Sequence, residues 1–379
     1  MKTNNTHLLF VNKVFGTAPL SYQWYFNTNT LLPNATNTSL TLTNVQTNIA
    51  GWYSVIVTNS LGTTNAAARL TVITNSSNPA MIGWATVSDR GLTTTTGGAG
   101  GPTVTVSNIT DLNTYAMKTT PYIIQVSGTL SGNFSVSGNK TIIGLPGATI
   151  SPGYMNITRG PNIIVRNLKM VGYNCSDSPG CGNSGNDVII VKGTNCHHIW
   201  FDHLDISDGT DGNLDQTHSV DYVTLSWCKF WYSTPGRAHR FSNLISGADT
   251  STFDRGHLKI TFHHCWWADN CDERMPRGRF GKVHVFNCYY TSSGNSYCIY
   301  SGVEMQVLAE NNYFQTIKNP LGFDATSGAL ASVNNVLVSC TGTMAGGGGT
   351  VFNPSDYYSY TVDPVTNVPA IVQAGAGPK

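Results

Sequence analysis

Short segments of similar character recur along the chain at a nearly fixed spacing, and this spacing restricts the fold more than any other feature. They are Val165-Arg-Asn-Leu-Lys169, Asp202-His-Leu-Asp-Ile206, Ser226-Trp-Cys-Lys-Phe230, His263-His-Cys-Trp-Trp267, Phe286-Asn-Cys-Tyr-Tyr290, Glu310-Asn-Asn-Tyr-Phe314 and Val333-Asn-Asn-Val-Leu337. Aligned on Asn167, Leu204, Cys228, Cys265, Cys288, Asn312 and Asn335, they are separated by 37, 24, 37, 23, 24 and 23 positions. Gly144 continues the series 23 residues upstream of Asn167. A period in the twenties carried by β-branched and aromatic residues means one solenoid coil per repeat. The Leu/Asn signature of leucine-rich repeats is absent, so a parallel β-helix is expected, with loop insertions in the two long steps. Like residues stack from coil to coil in such a fold. Cys228, Cys265 and Cys288 therefore read as buried rung residues, not disulfide partners or metal ligands. Cys175 and Cys181 flank a small Ser/Gly/Pro loop and could bridge.

The repeat begins near residue 80. Before it, residues 17–74 read as a separate small all-β module. Tyr22-Gln-Trp-Tyr25, Ser39-Leu-Thr-Leu-Thr43, Gly51 to Asn59 and Ala66 to Val72 are short strand-like runs punctuated by turns, the pattern of a sandwich. The module resembles an immunoglobulin-like domain, with Trp24 as the core tryptophan and Tyr53 as the corner tyrosine. It contains no cysteine, so the usual inter-sheet disulfide is missing. A spacer or adhesion role without chemistry is expected, with carbohydrate binding as the alternative. Residues 75–79 form a polar linker, and residues 1–16 are unassigned.

Composition limits the partners. Charged residues make up 11% of the 379, glycines number 39, and the formal net charge is +1. This is the profile of a turn-rich extracellular β-protein. Near-neutral charge argues against nucleic acid, and an acidic polymer would have to be held by a local patch. No apolar run reaches the 18 residues of a membrane span. The apolar stretch Leu8-Leu-Phe-Val11 is shorter than a secretory core; a secreted protein is expected, with its export signal not among these residues. Nothing calls for an obligate oligomer, so a monomer is expected.

Three constellations carry possible chemistry. Asp211-Gly-Asn-Leu-Asp215 places two carboxylates four apart, on one face if the segment is a strand. Asp187 lies about one coil upstream. Hard oxygens gathered from neighbouring coils suit Ca²⁺, although aspartates also commonly cap turns. The pair Asp202-His203, in Ile199-Trp-Phe-Asp-His203, more often serves structure than catalysis. Arg274-Met-Pro-Arg-Gly-Arg279 places three guanidiniums in six residues, a geometry suited to carboxylates; Asp272 and Glu273 could equally pair with it.

Taken together, residues 80–379 resemble the family 1 pectate lyases. Ile199 to His203 is similar to that family's Trp-Ile-Asp-His signature, DGNLDQTHSVDYVTLSW (Asp211 to Trp227) to its acidic segment, and Arg274 to Arg279 to its R-x-P-x-x-R signature. Thr95 to Gly101 resembles its Gly-rich entry, and Ser137 to Gly144 its first coil. The resemblance implies a right-handed parallel β-helix and calcium-assisted β-elimination of α-1,4-linked polygalacturonate. It implies Asp187, Asp211 and Asp215 as metal ligands, Arg274 as the base and Arg279 as a binder of substrate carboxylate. Free guanidinium is almost always protonated, so an alkaline optimum is expected. Two departures stand out. A second acid expected before Asp187 is replaced by Gly185 or Asn186, and a substrate-binding lysine aligns with Phe241; Arg237 or Arg240 could supply that charge. The competing readings are a calcium-independent pectin lyase, which the retained aspartates disfavour, and a non-catalytic β-helix adhesin, which the arginine signature disfavours.

Overall fold

The computed structural model describes residues 8–11, 16–27, 29–43, 49, 51–70, 81–173, 186–236 and 238–379. The chain divides into two compact units, Met1–Pro79 and Ala80–Lys379. No helix among the described residues is long and apolar enough to cross a membrane.

In the smaller unit, strands Ser21–Phe26, Thr30–Leu31, Gly51–Asn59 and Gly62–Leu70 form one antiparallel sheet, and Leu8–Val11 pairs with Ser39–Leu42. Alternation in Gly51–Asn59 buries Tyr53, Val55 and Val57 against Trp24, Leu40 and Leu70, as period-2 patterning requires. The Trp24 indole donates to the Asn37 carbonyl at 2.9 Å. The Tyr53 hydroxyl donates to the Ile49 carbonyl, four residues upstream, at 2.8 Å.

The larger unit is a parallel β-helix. Three long sheets run along it, and consecutive coils add one strand to each in strict order. The first runs from Phe134–Ser137 to Leu321–Phe323 through Met155–Arg159, Ile189–Lys192, Leu214–Thr217, Leu244–Ile245, Arg277–Gly278 and Ile299–Ser301. The second contains Ile163–Arg166, His197–Asp202, Asp221–Ser226, Lys259–His263, Lys282–Phe286 and Gln306–Glu310. The third extends from Thr129–Leu130 to Val336–Val338. Their inward residues form one continuous apolar core from Val106 to Leu330. Each coil buries its apolar face only against its neighbours, so stability is collective.

The bend after the second sheet explains the repeat. Asn167, His203, Trp227, His264, Asn287, Asn311 and Asn334 all adopt left-handed backbone, with φ of 51–56°. Asn tolerates this region well. Trp227 does not favour it, and is clamped between the His203 and His264 rings at 5.8 and 4.2 Å. The residue after each bend is the inward rung. Cys228, Cys265 and Cys288 are fully buried free thiols, as their place in the series predicts. The alignment on Asn167 is off by one: Asn167 is the bend and Leu168 the buried rung. Gly144 pairs with the bend in the same way, and a Cβ there would collide with the Asn167 carbonyl oxygen.

At the later coils the rung is amide. Asn312 Oδ1 accepts from the Cys288 amide at 2.9 Å, and its Nδ2 donates to the Val285 carbonyl at 2.9 Å. Asn335 Oδ1 accepts from the Asn312 amide at 2.9 Å. Asn312→Ala strands a buried N–H and a buried C=O, and leaving such groups unpaired costs roughly 1–3 kcal/mol each. A fall in denaturation midpoint of that order is expected in thermal or urea unfolding. A midpoint unchanged from wild type would show that the amide ladder contributes nothing.

Candidate active site

The first sheet carries the acidic segment. Register places Ile189 beside Leu214 and Ile190 beside Asp215, which sets Asp187, just before its strand, across from Gly212. Both carboxyls are buried. A Cβ on Gly212 would meet Asp187 Oδ1 at 2.5 Å and Asp215 Oδ1 at 3.3 Å. The missing side chain therefore leaves an open cradle over the two acids. Asp215 Oδ1 accepts from the Leu244 amide at 2.9 Å, whereas Asp187 Oδ1 is buried with no hydrogen-bond partner.

Electrostatics express this crowding. Burial, then the Asp215 and Asp211 charges, push the Asp187 carboxyl well above the usual range, with Arg274 opposing. Burial raises Asp215 to about 7, against the pull of the Leu244 amide and Arg274. Two carboxyls held together out of water keep a proton or take a cation. Asp211 is close enough to raise both but turns outward, with Oδ1 3.1 Å from His239 Nδ1. No group of three or more His, Cys, Asp or Glu side chains converges on a single metal position among the described residues. The structure thus brings two of the three expected ligands together and sets the third beside them. The orphaned Asp187 oxygen, the Gly212 cradle and an all-oxygen donor set fit a hard cation.

The arginines sort into two kinds. Arg274 sits at φ 61° just before the strand Arg277–Gly278. Its guanidinium carbon lies 4.0 Å from the centre of the Phe241 ring, and its Nε is buried without a partner. It makes no salt bridge among the described residues, yet acts electrostatically on both Asp187 and Asp215. Arg277 is likewise buried at Nε without a partner, near the Tyr300 ring. Arg279, by contrast, is held by Asp249 and by the Ser246 carbonyl at 3.1 Å. Arg240 donates to the Asn270 carbonyl at 3.0 Å and lies 3.4 Å from Asp272. Arg237, Cys175 and Cys181 lie outside the described residues. Phe241, at the position expected to hold a lysine, contacts both the Arg274 guanidinium and the His239 ring, the latter at 4.8 Å.

The Gly212 cradle, the Phe241 support and the partnerless Nε of Arg277 were not apparent in the sequence. Arg277 could have been found: Tyr300, its sheet partner, lies 23 residues on, one repeat period.

The larger unit is thus a parallel β-helix that sets a buried acid pair within electrostatic reach of Arg274. The comparisons make the class specific. The pectate lyase family model matches residues 58–377, and the chain belongs to the pectate lyase family. It is 32% identical over 316 residues to a pectate trisaccharide-lyase of Thermotoga maritima, covering 75% of this chain and 84% of that one. A pectate trisaccharide-lyase of Bacillus licheniformis is 33% identical over 310 residues, covering 75% and 83%. Among solved structures, a Bacillus subtilis pectate lyase variant aligns with a TM-score of 0.62 at 24% identity, covering 78% of this chain and 96% of that one. The major allergen from cedar pollen aligns with a TM-score of 0.62 at 21% identity, covering 79% and 93%. These last two likenesses concern the fold.

The acid pair yields a stability prediction. An unfolded aspartate loses its proton near pH 4, but folded Asp215 holds its proton to about 7. Between those values the folded state binds more protons, so the stability of metal-free protein falls as pH rises. Asp215→Asn should flatten this slope. At pH 8, added Ca²⁺ should raise the melting temperature of wild type and much less that of the variant. Equal slopes and equal calcium responses would refute the paired-acid description.

Proposed function

We propose that the chain is a pectate lyase that cleaves α-1,4-linked polygalacturonate by calcium-assisted β-elimination, releasing unsaturated oligogalacturonates. The observation that carries this reading is Arg274: an unpaired guanidinium with a buried, partnerless Nε, electrostatically coupled to the acid pair. Family membership agrees with it.

Asp187 and Asp215 would hold the cation, with Asp211 completing the set and water and uronate oxygens filling the remaining positions. When bound, Ca²⁺ supplies charge neutralisation at the uronate carboxylate and so acidifies the proton at C5. Arg274 would take that proton as the neutral guanidine, the form that alkaline pH favours. The C5–H electron pair becomes the C4–C5 double bond, the C4–O4 bond breaks, and O4 leaves with a proton from solvent. Phe241 braces the Arg274 guanidinium from below, so a position that carries a lysine elsewhere in the family here orients the base. Arg279 would exchange the solvent-facing Asp249 for a substrate carboxylate, and Arg240 and Arg237 would add positive charge at the rim. Retained acids favour pectate over fully esterified pectin, whose uronates carry no charge for the cation to neutralise.

For the larger unit we infer right-handed winding, the hand of nearly all crossovers between parallel strands. For the smaller unit we infer an immunoglobulin-like sandwich. Its support is the buried Trp24 and a Tyr53 hydroxyl bonded four residues upstream, the arrangement of a tyrosine corner. Among its described residues no titratable cluster calls for chemistry, and a spacer or adhesion role fits. We further infer a secreted, monomeric enzyme, in keeping with its polymeric substrate.

The decisive assay is absorbance of the unsaturated product on pectate and on methyl-esterified pectin. Wild type should act best on pectate at alkaline pH and stop with EDTA. Arg274→Ala should lose roughly 10²–10⁴-fold in kcat. Near-wild-type activity of Arg274→Ala at high pH would remove the base assignment. Indifference to EDTA on both polymers would remove the cation.

A further inference from the structure

The smaller unit contains no acid. The first aspartate or glutamate of the chain is Asp89, whereas Lys2, Lys13 and Arg69 all lie within Met1–Pro79. That unit therefore carries a formal +3, and since the whole chain totals +1 the larger unit carries −2. Arg69 has no carboxylate within its own unit to pair with. Among the described residues its guanidinium makes neither a hydrogen bond nor an ion pair, unlike Arg240 and Arg279 of the larger unit.

Register sets Arg69 on an aromatic face. Strand Gly51–Asn59 turns Tyr53, Val55 and Val57 into the core, so Trp52, Ser54 and Ile56 lie on the opposite side of the sheet. Trp52 pairs with Arg69, and Ser54 pairs with Ala67 on one side and Tyr25 on the other; Tyr25 in turn pairs with Leu31. Two adjacent rows of one face thus hold Trp52, Arg69, Tyr25 and Leu31. Trp52 is 48% and Leu31 50% exposed, Arg69 is exposed and Tyr25 partly so. Ser54 and Ala67, lying between them, are too short to cover the rings. The Trp52 backbone is pinned to Asn27: its amide donates to Asn27 Oδ1 at 3.2 Å, and its carbonyl accepts from the Asn27 amide at 2.7 Å. A single exposed aromatic is ordinary on a protein surface. Here two aromatics adjoin an unpaired guanidinium in a unit without acids. Aromatic rings take the C–H face of a sugar, and a guanidinium takes a carboxylate in bidentate fashion. An apolar partner would use the rings and leave Arg69 idle, whereas a sugar acid uses both.

We infer that this face of the smaller unit is a binding surface for acidic polysaccharide, with Trp52 and Tyr25 supporting sugar rings and Arg69 pairing with a uronate carboxylate. The choice of polymer rests on the lyase reading, but the surface shares no residue with the catalytic site and gives the adhesion role a chemical basis. A polymer held there meets the catalytic unit again as a tethered partner, which raises its effective concentration without any new contact at the groove. The enzyme therefore gains on long polymers and not on short oligomers.

The test is retention of the full-length protein in native gels containing polygalacturonate, with EDTA present to stop turnover. Trp52→Ala and Arg69→Gln should each weaken retention roughly three- to tenfold, the scale of one aromatic or charged contact at an open surface. Arg69→Lys should recover part of the loss. Both side chains are exposed, so the melting curves should match wild type. With Ca²⁺ restored, either change should raise KM on polygalacturonate and leave kcat/KM on trigalacturonate within about twofold, because a trimer that fills the groove has no length left for a second site. Unchanged retention of a protein carrying both Trp52→Ala and Arg69→Gln would overturn the surface. So would equal retention of wild type by fully methyl-esterified polymer, or a wild-type dimer that Trp52→Ala dissolves without altering retention, which would make a second copy the occupant. Retention needs no turnover: absence of unsaturated product would defeat the lyase reading, while the gel would still decide this face.

Discussion

Everything in the larger unit depends on the backbone ladder between successive coils. Each strand donates to and accepts from the coils on both sides, as Ile299 donates forward to Pro320 while Tyr300 donates back to Pro276, so a side chain's place is fixed by its register and not by local sequence. That is how residues as distant as Asp187 and Arg274 come to act on one another electrostatically. The sheet is also a ruler. Its coil spacing is set by hydrogen-bond length. A fold that grows in one dimension is thus suited to a polymer that does the same.

The same ladder determined what could be read from the sequence. Corner and rung residues recur because every coil must make the same bend, so Cys228, Cys265, Cys288, Asn312 and Asn335 revealed the solenoid through spacing alone. The misplacement at Asn167 arose because Asn suits both the left-handed bend and the buried rung, and residue type could not separate them; the backbone does, at φ 54°. Site residues are not periodic. Asp187, Asp211, Asp215 and Arg274 were legible because their types and order match a family motif. Their states were not legible, since pairing depends on neighbours from other coils. Arg279 meets Asp249, thirty residues away, and Arg240 meets Asp272. Phe241 reads as the loss of a cation until Arg274 is seen lying on its ring.

The division between paired and unpaired charges then gives the groove its logic. A buried ion pair satisfies itself and offers little to a ligand, whereas a buried charge without a partner is costly to the free protein. Arg274 Nε, Arg277 Nε and Asp187 Oδ1 are buried without partners, in or just before strands of the first sheet. Local rules are broken in this way where function requires it. The two signs are also separated: the acids crowd together at Gly212, and Arg274 and Arg277, whose Nε atoms lack partners, belong to a later coil. A neutral polymer would relieve neither end. Under the proposed reading a polyuronate arriving with a divalent cation would relieve both, the cation quenching the acid pair and carboxylates the arginines. The overall charge of +1 therefore hides a strong local patterning of acids and guanidiniums, and under the proposed reading an acidic polymer would be held by that patterning and not by bulk charge.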